Sequence, residues 1–141
     1  MAPARSIAVL AACLLLAGCG SRTPGDEEQV RDVLATFVRA VEGRDYQRLC
    51  DDVFAPDLLE GVESIGLPCE VALRNSLGEV REPRLTVGAV DVRGDDASAQ
   101  VRTSAQGQEP SSDTVRLERV DGRWKVSSLA DPESATPTPT P

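Results

Sequence analysis

Residues 115–126 have the sequence Val-Arg-Leu-Glu-Arg-Val-Asp-Gly-Arg-Trp-Lys-Val. This stretch gives the clearest indication of the fold class. Apolar and polar side chains alternate on both sides of Asp121-Gly122, a period of two residues that is typical of strands. Asp-Gly between two such segments is the strongest short signal for a β-hairpin, because both turn positions need a positive φ. The sequence therefore predicts a hairpin with strands at residues 114–120 and 123–129.

Two further strands are predicted ahead of this hairpin. Residues 97–103 alternate alanine or valine with polar residues, which is the pattern of a strand with one solvated face. Residues 84–93 are rich in apolar and β-branched side chains, but their alternation shifts at Gly88-Ala89, which indicates a β-bulge. A turn at 94–96 and a polar loop at 104–113 join the four segments, so we expect an antiparallel meander.

Helices are predicted before the strands, where apolar residues recur with a period of 3.6. The first helix is predicted with Asp26 as its N-cap, in a capping-box pattern with Gln29, and with Gly43 as the C′ residue just beyond its end. Its apolar face consists of Val30, Val33, Leu34, Phe37, Val38 and Val41. Shorter helices are expected at residues 45–54, 57–64 and 69–77. Helices followed by a meander predict an α+β domain, with the helices packed on one curved antiparallel sheet.

The N-terminal residues carry a separate signal. A positive charge precedes an apolar run at residues 7–16, which is too short to cross a membrane but has the length of a signal-peptide core. The run leads into Leu16-Ala17-Gly18-Cys19, which resembles the lipobox of bacterial lipoproteins. The resemblance implies a signal peptide of residues 1–18, a diacylglyceryl lipid with palmitate-type chains on Cys19, and a lipidated tether at 19–25. An ordinary secretory signal is the alternative.

A lipid on Cys19 would hold the chain at the extracytoplasmic face of the cell membrane, because two acyl chains suffice for stable anchoring. Beyond a domain of residues 26–131, the segment 132–141 is rich in threonine and proline and predicts a disordered tail. The tail is interpreted as passive, with contact to the cell wall or O-glycosylation as the alternative.

The four cysteines divide into two groups. Cys13 leaves with the signal peptide and Cys19 is lipidated, so Cys50 and Cys69 remain as a pair in an oxidising compartment. We expect a structural disulfide between them. The alternatives are a redox pair, for which the two are too far apart in sequence, and a metal site, for which histidine is missing.

Charge and composition exclude several classes of function. The chain has a net charge of −8, and removal of residues 1–18, which hold one arginine and no acid, makes it −9. This balance opposes binding to nucleic acids or to anionic lipid surfaces. The absence of histidine removes the commonest general base and metal ligand. We therefore predict no cofactor, no metal and no nucleic-acid partner.

The order of elements resembles the nuclear transport factor 2-like (NTF2-like) superfamily, the cone-shaped α+β fold of ketosteroid isomerase and SnoaL-like proteins. The resemblance lies in the end of the first helix, residues 37–45, and in the closing hairpin at residues 115–126. It implies helices packed on a curved sheet, with a pocket at the open end of the cone. Small bacterial lipoproteins with this fold often end in a similar hairpin.

Candidate pocket residues follow from this resemblance. Isomerase-type chemistry needs an aspartate base with a tyrosine at the oxyanion. Tyr46 is the one tyrosine of the chain, with Asp51 and Asp52 nearby, although a core position for Tyr46 and an exposed helix face for the aspartates are the simpler interpretations. Phe37 and Trp124 are candidate pocket walls, with a core position as the alternative for Trp124.

A possible anion-binding strip is a further candidate, formed by Arg81, Arg84, Arg102 and Arg116. A solvated sheet face balanced by glutamates is the simpler interpretation. We expect a non-catalytic domain that binds a small molecule or an envelope protein. The alternatives are a pocket enzyme of SnoaL or ketosteroid isomerase type, which would use Tyr46 and an aspartate, and a purely structural role in the envelope.

Overall fold

The computed structural model describes residues 24–129. Its helices are α1 (Asp26–Gly43), α2 (Tyr46–Arg48), which continues into a π-helical turn (Leu49–Val53), α3 (Pro56–Glu63) and α4 (Cys69–Leu77). Its strands are β1 (Arg84–Arg93), β2 (Asp96–Ser104), β3 (Ser111–Val120) and β4 (Arg123–Ser128). The predicted signal peptide, the lipidation site Cys19 and the Thr/Pro tail lie outside the described residues. Within residues 24–129, no helix is both long and apolar enough to cross a membrane.

The four strands form one antiparallel meander in the order β1-β2-β3-β4, as predicted. The predicted bulge is present, because the β1–β2 register shifts between Val87 and Val90. Arg31 of α1 donates to the carbonyl oxygens of Val87 and Gly88, over 3.2 and 2.8 Å. A helix side chain thus binds the backbone of the edge strand at its bulge, which makes this edge less available for pairing with another chain.

Strand β3 begins three residues earlier than the sequence predicts. Ser111 and Ser112 pair with Thr103 and Arg102 of β2, so the loop between the strands is shorter than the predicted 104–113. The polar side chains of residues 104–113 favoured a loop in the sequence. The pairing with β2 extends the backbone regardless, because the ladder depends on main-chain groups.

Both ends of α1 differ from prediction. Asp26 is the first helical residue rather than the cap, which is Gly25, and its carboxylate binds Arg119 at 2.7 Å. The Asp26 carboxylate therefore pairs with Arg119 of β3 instead of capping the helix. At the other end Gly43 is still helical, and Arg44 takes the left-handed conformation with φ 56°.

The chain between α1 and α4 is fastened at two points. Asp45 caps α2 and accepts a hydrogen bond from the Arg48 backbone N–H at 3.2 Å. The predicted Cys50–Cys69 disulfide is confirmed, with the Cα atoms 6.2 Å apart, and it joins the π-helical turn to the first residue of α4. After that turn, the Ala55 N–H donates to the Val126 carbonyl at 2.8 Å and thereby attaches the segment to β4.

The core lies between α1, the π-helical turn and one face of the sheet, here called the inner face. From this face the core receives Ala97, Ala99, Val101, Val115, Leu117, Trp124 and Val126. Of the predicted apolar face of α1, Val30, Leu34 and Val41 are buried, while Val33, Phe37 and Val38 are half-buried. The second half of α1 therefore does not seal fully against the sheet.

Candidate functional site

A cavity of about 170 Å³ lies between the C-terminal half of α1, the start of β1 and the β2–β3 loop. We call this region the cavity end. Its apolar wall consists of Phe37, Val38, Val41, Leu77, Val80 and Leu85. Its rim includes Arg84, Thr103, Ala105, Gln108, Glu109 and Ser111. The site is therefore an apolar recess with polar groups on the side of the sheet and loop.

Phe37 connects this cavity with the core. Its ring lies 6.2 Å from the ring of Phe54, at an angle of 37° between the planes. Phe54 is completely buried, whereas Phe37 is half-buried and lines the cavity. The cavity wall at Phe37 is therefore packed against the buried core, and this packing makes the recess preformed.

A chain of hydrogen bonds runs along the polar side of the cavity end. The Ser111 hydroxyl donates to the Asp113 carboxylate at 2.7 Å, and the hydroxyls of Thr103 and Ser111 are 2.8 Å apart. Thr103 and Ser111 are cross-strand partners, and they share the inner face with Val101 and Val115 because side chains alternate along each strand. The three side chains thus form one ordered unit beside the apolar wall.

The opposite end of the sheet holds the Gly94-Asp95 and Asp121-Gly122 turns, and we call it the turn end. Here Arg119 forms ion pairs with Asp26 at 2.7 Å and with Asp95 at 3.2 Å. The Arg119 guanidinium also lies over the Trp124 ring, 4.6 Å from its centroid, in cation–π geometry. One side chain therefore ties the start of α1, the first turn and the hairpin together.

The electrostatics of the turn end act on Asp26. The hydrogen bond from Arg119 lowers the pKa of the Asp26 carboxyl below its ordinary 3.8, against a smaller opposing effect of burial. The positive charge of Arg119 and the nearby Trp124 indole also lower this pKa. The indole N–H itself reaches no acceptor in hydrogen-bond geometry among residues 24–129, so we regard its effect on Asp26 as weak.

The predicted pocket residues do not converge. Phe37 lines the cavity, whereas Trp124 is buried at the turn end and borders a separate groove with Gln29, Asp32 and Arg123. Tyr46 is buried at the contact of α2 with α4, and in the part of the chain that the structure describes its hydroxyl has no hydrogen-bond partner. Tyr46 and Trp124 therefore both occupy core positions, as in the alternative that was considered for each.

The two aspartates considered as bases are surface residues. Asp51 and Asp52 are exposed on the π-helical turn, and the Asp51 carboxylate accepts a long hydrogen bond of 3.4 Å from Gln47. The Asp51 backbone carbonyl accepts from Lys125 at 2.8 Å. Neither aspartate lines the cavity next to Phe37. The geometry therefore does not assemble the tyrosine–aspartate pair.

The arginine strip is dispersed. Arg84, Arg102 and Arg116 lie on three different strands. Arg102 and Arg116 are on the outer face of the sheet amid small polar residues such as Thr114, whereas Arg84 is at the rim of the cavity. Among residues 24–129 there is also no group of three histidine, cysteine, aspartate or glutamate side chains that could hold a metal ion.

Sequence reasoning missed the Thr103–Ser111–Asp113 unit. The signal was available, because Ser111, Asp113, Val115 and Leu117 continue one period of two residues. The polarity of residues 104–113 favoured a loop instead, and the cross-strand pairing that unites Thr103 with Ser111 cannot be deduced before the strand ends are known.

Solved structures similar to this chain share the NTF2-like fold. An NTF2-like protein of unknown function from Shewanella baltica OS155 has a TM-score of 0.53 and 18% identity, covering 76% of this chain and 94% of that one. A second, from Silicibacter pomeroyi DSS-3, has a TM-score of 0.52 and 17% identity, covering 71% and 88%. A de novo designed protein of this fold has a TM-score of 0.52 and 15% identity, covering 79% and 91%.

The chain therefore has the predicted NTF2-like fold, with helices packed on an open antiparallel sheet. No protein-family model and no curated protein matches the sequence. Likeness at this level of identity concerns the fold alone, and function has to be argued from the site.

Proposed function

We propose that this chain is a lipid-anchored envelope lipoprotein whose NTF2-like domain binds a small ligand at the cavity end without transforming it. The observation that carries the binding role is the preformed apolar recess beside Phe37, with ordered polar groups along one side. A few placed polar groups in a mostly apolar concave site are the usual composition of small-molecule sites.

The size of the cavity limits the ligand. A volume of about 170 Å³ is close to that of an engineered apolar cavity of ~150 Å³ that admits benzene. It is smaller than the roughly 300–1,000 Å³ of sites for drug-sized molecules. The recess therefore accommodates one ring or one short branched alkyl group, and the rest of a larger ligand would project past the rim.

The positions of the candidate acid and base groups support binding rather than catalysis. An isomerase-type reaction needs a carboxylate and a phenol that face the same substrate. Tyr46 is enclosed between helices, and Asp51 and Asp52 are on the surface. Asp113 already accepts a hydrogen bond from the Ser111 hydroxyl. The alternative of a pocket enzyme with Tyr46 and an aspartate gains no support from this arrangement.

Anchoring is supported by the lipobox Leu16-Ala17-Gly18-Cys19 and by the disulfide, which suits an oxidising compartment. The membrane would be a partner through the lipid on Cys19, and the chain from Cys19 to Pro24 spans at most about 18 Å. Metabolic labelling with an alkyne-tagged palmitate tests this part. Label in the wild-type chain and none in Cys19→Ser is expected, and equal labelling of both would contradict it.

Binding is tested with toluene as a probe, by isothermal titration of the exported chain in nanodiscs. Ala105→Phe fills the rim of the cavity and should abolish binding, whereas Ala89→Phe, at the exposed bulge of β1, should leave it unchanged. Toluene binding that survives Ala105→Phe, or no binding to the wild type, would rule out the cavity as the site.

A further inference from the structure

We infer that the cavity end selects a ligand whose polar head is a hydrogen-bond donor, with a protonated amine preferred over a carboxylate or phosphate. The inference rests on the proposed function, because it assumes that the apolar part of the ligand occupies the recess beside Phe37. It follows from where the protons of the Thr103–Ser111–Asp113 unit lie.

The direction of these hydrogen bonds is determined by the carboxylate. An ionised aspartate only accepts, so the single hydroxyl proton of Ser111 is donated to Asp113. The 2.8 Å contact between Ser111 and Thr103 then needs its proton from Thr103. Both hydroxyl protons are therefore directed along the unit toward Asp113, and none is left for a ligand.

The unit presents lone pairs instead of protons to the cavity. A hydroxyl has one donor and two acceptor sites, so Thr103 retains two acceptor sites and Ser111 retains one. Both residues line the cavity. A ligand with an N–H or O–H group can bind to these oxygens, whereas a carboxylate finds no donor among the three side chains of the unit.

The rest of the rim carries two opposite charges. Glu109 adds a carboxylate at the edge of the cavity, and Arg84 adds a guanidinium. Gln108 contributes an amide that can donate or accept. The carboxylates of Asp113 and Glu109 outnumber the one guanidinium of Arg84, which favours a cationic donor in a chain whose net charge is −8.

The test uses four probes of similar size: benzylamine, benzyl alcohol, toluene and benzoate. Isothermal titration of the exported chain in nanodiscs should rank benzylamine first and benzoate last. We expect a difference in Kd of at least about tenfold between these two, the ratio that corresponds to 1.4 kcal/mol. Toluene should bind between them, because it fills the recess but makes no hydrogen bond.

Two variants distinguish the effect of the Thr103–Ser111–Asp113 unit on ligand preference from the effect of the overall charge. Ser111→Ala removes one acceptor and leaves the Thr103 proton free, so it should reduce the preference for benzylamine at least about threefold. Ser112→Ala, one residue along on the exposed outer face, is the matched control and should keep it. Thermal melting of both variants confirms that they are folded.

The outcomes are distinct. If toluene binds but benzylamine has no advantage over benzoate, or if Ser111→Ala keeps the full preference, the inference is wrong and the proposed function stands. If none of the four probes binds at the cavity end, the proposed function fails and the inference fails with it.

Discussion

The turn end and the cavity end share α1 and the same four strands, but they use their polar side chains in opposite ways. At the turn end, Arg119 has carboxylate partners in Asp26 and Asp95 and an aromatic partner in Trp124. At the cavity end, Thr103 donates to Ser111 and Ser111 donates to Asp113, which leaves acceptors beside an apolar recess.

The difference separates stability from binding. The turn end joins three segments that are distant in sequence and contains a nearly completely buried tryptophan, so changes there should affect unfolding. The cavity end lacks complete packing between α1 and the sheet, a condition that costs stability but provides space for a ligand. Substitutions should therefore have different consequences at the two ends.

The largest expected effect is on stability at the turn end. Trp124→Ala should lower the free energy of unfolding by about 3–5 kcal/mol, because Trp124 is only 2% exposed and its loss leaves a cavity. Phe37→Ala, at the half-buried cavity wall, should cost less than about 3 kcal/mol. Urea denaturation of both variants gives the comparison. Equal losses would contradict the assignment of stability to the turn end.

The disulfide is expected to have the next largest effect. The double change Cys50→Ser with Cys69→Ser removes a link that closes a loop of sequence separation 19, which should cost about 3 kcal/mol and roughly 10 °C of melting temperature. Because α4 leads into the cavity wall at Leu77, hydrogen exchange should increase there before it increases at Trp124.

Reduced wild-type protein is the matched control for this experiment, and its melting temperature should equal that of the double variant. If the double variant has the same melting temperature as the oxidised wild type, the cysteine pair does not stabilise the fold. If hydrogen exchange increases uniformly, the disulfide does not stabilise the cavity end in particular.

The smallest expected effect is a dependence on pH at the turn end. Arg119 lowers the pKa of Asp26, so Asp26 contributes stability that is present above its ordinary pKa of 3.8 and is lost as the pH falls through the lowered value. Asp26→Asn removes this contribution. The difference in unfolding free energy between wild type and variant should be constant near neutral pH and shrink below pH 3.8.

Glu27→Gln, one residue along on the exposed surface of α1, is the control for the loss of a negative charge. The same pH dependence in that variant would show that the effect comes from net charge rather than from the contact with Arg119.

Local patterns in the sequence were sufficient for the elements of the fold. The Asp121-Gly122 hairpin, the shift at Gly88-Ala89 and the Cys50–Cys69 pair each have a signal within a few residues or in cysteine arithmetic, and each is present. The α+β class and the NTF2-like architecture followed from the order of helices and strands.

The site was harder, because it depends on contacts between distant segments. Asp26 has the pattern of a helix cap, and only the proximity of Arg119, 93 residues away, shows its other role. Tyr46 was a candidate because its phenol could take part in catalysis. Its burial between α2 and α4 depends on how these two helices pack, which the sequence does not reveal. Thr103 and Ser111 become neighbours only through the register of β2 with β3.

A titration of the isotope-labelled protein with benzylamine, followed by NMR, tests most directly whether the cavity end is the binding site. Trp124 is the only tryptophan, so its indole N–H is a single reporter for the turn end. We expect saturable shifts at Phe37, Leu85 and Ser111 and a stationary indole resonance. Shifts at Trp124 with none at the cavity end would contradict the account.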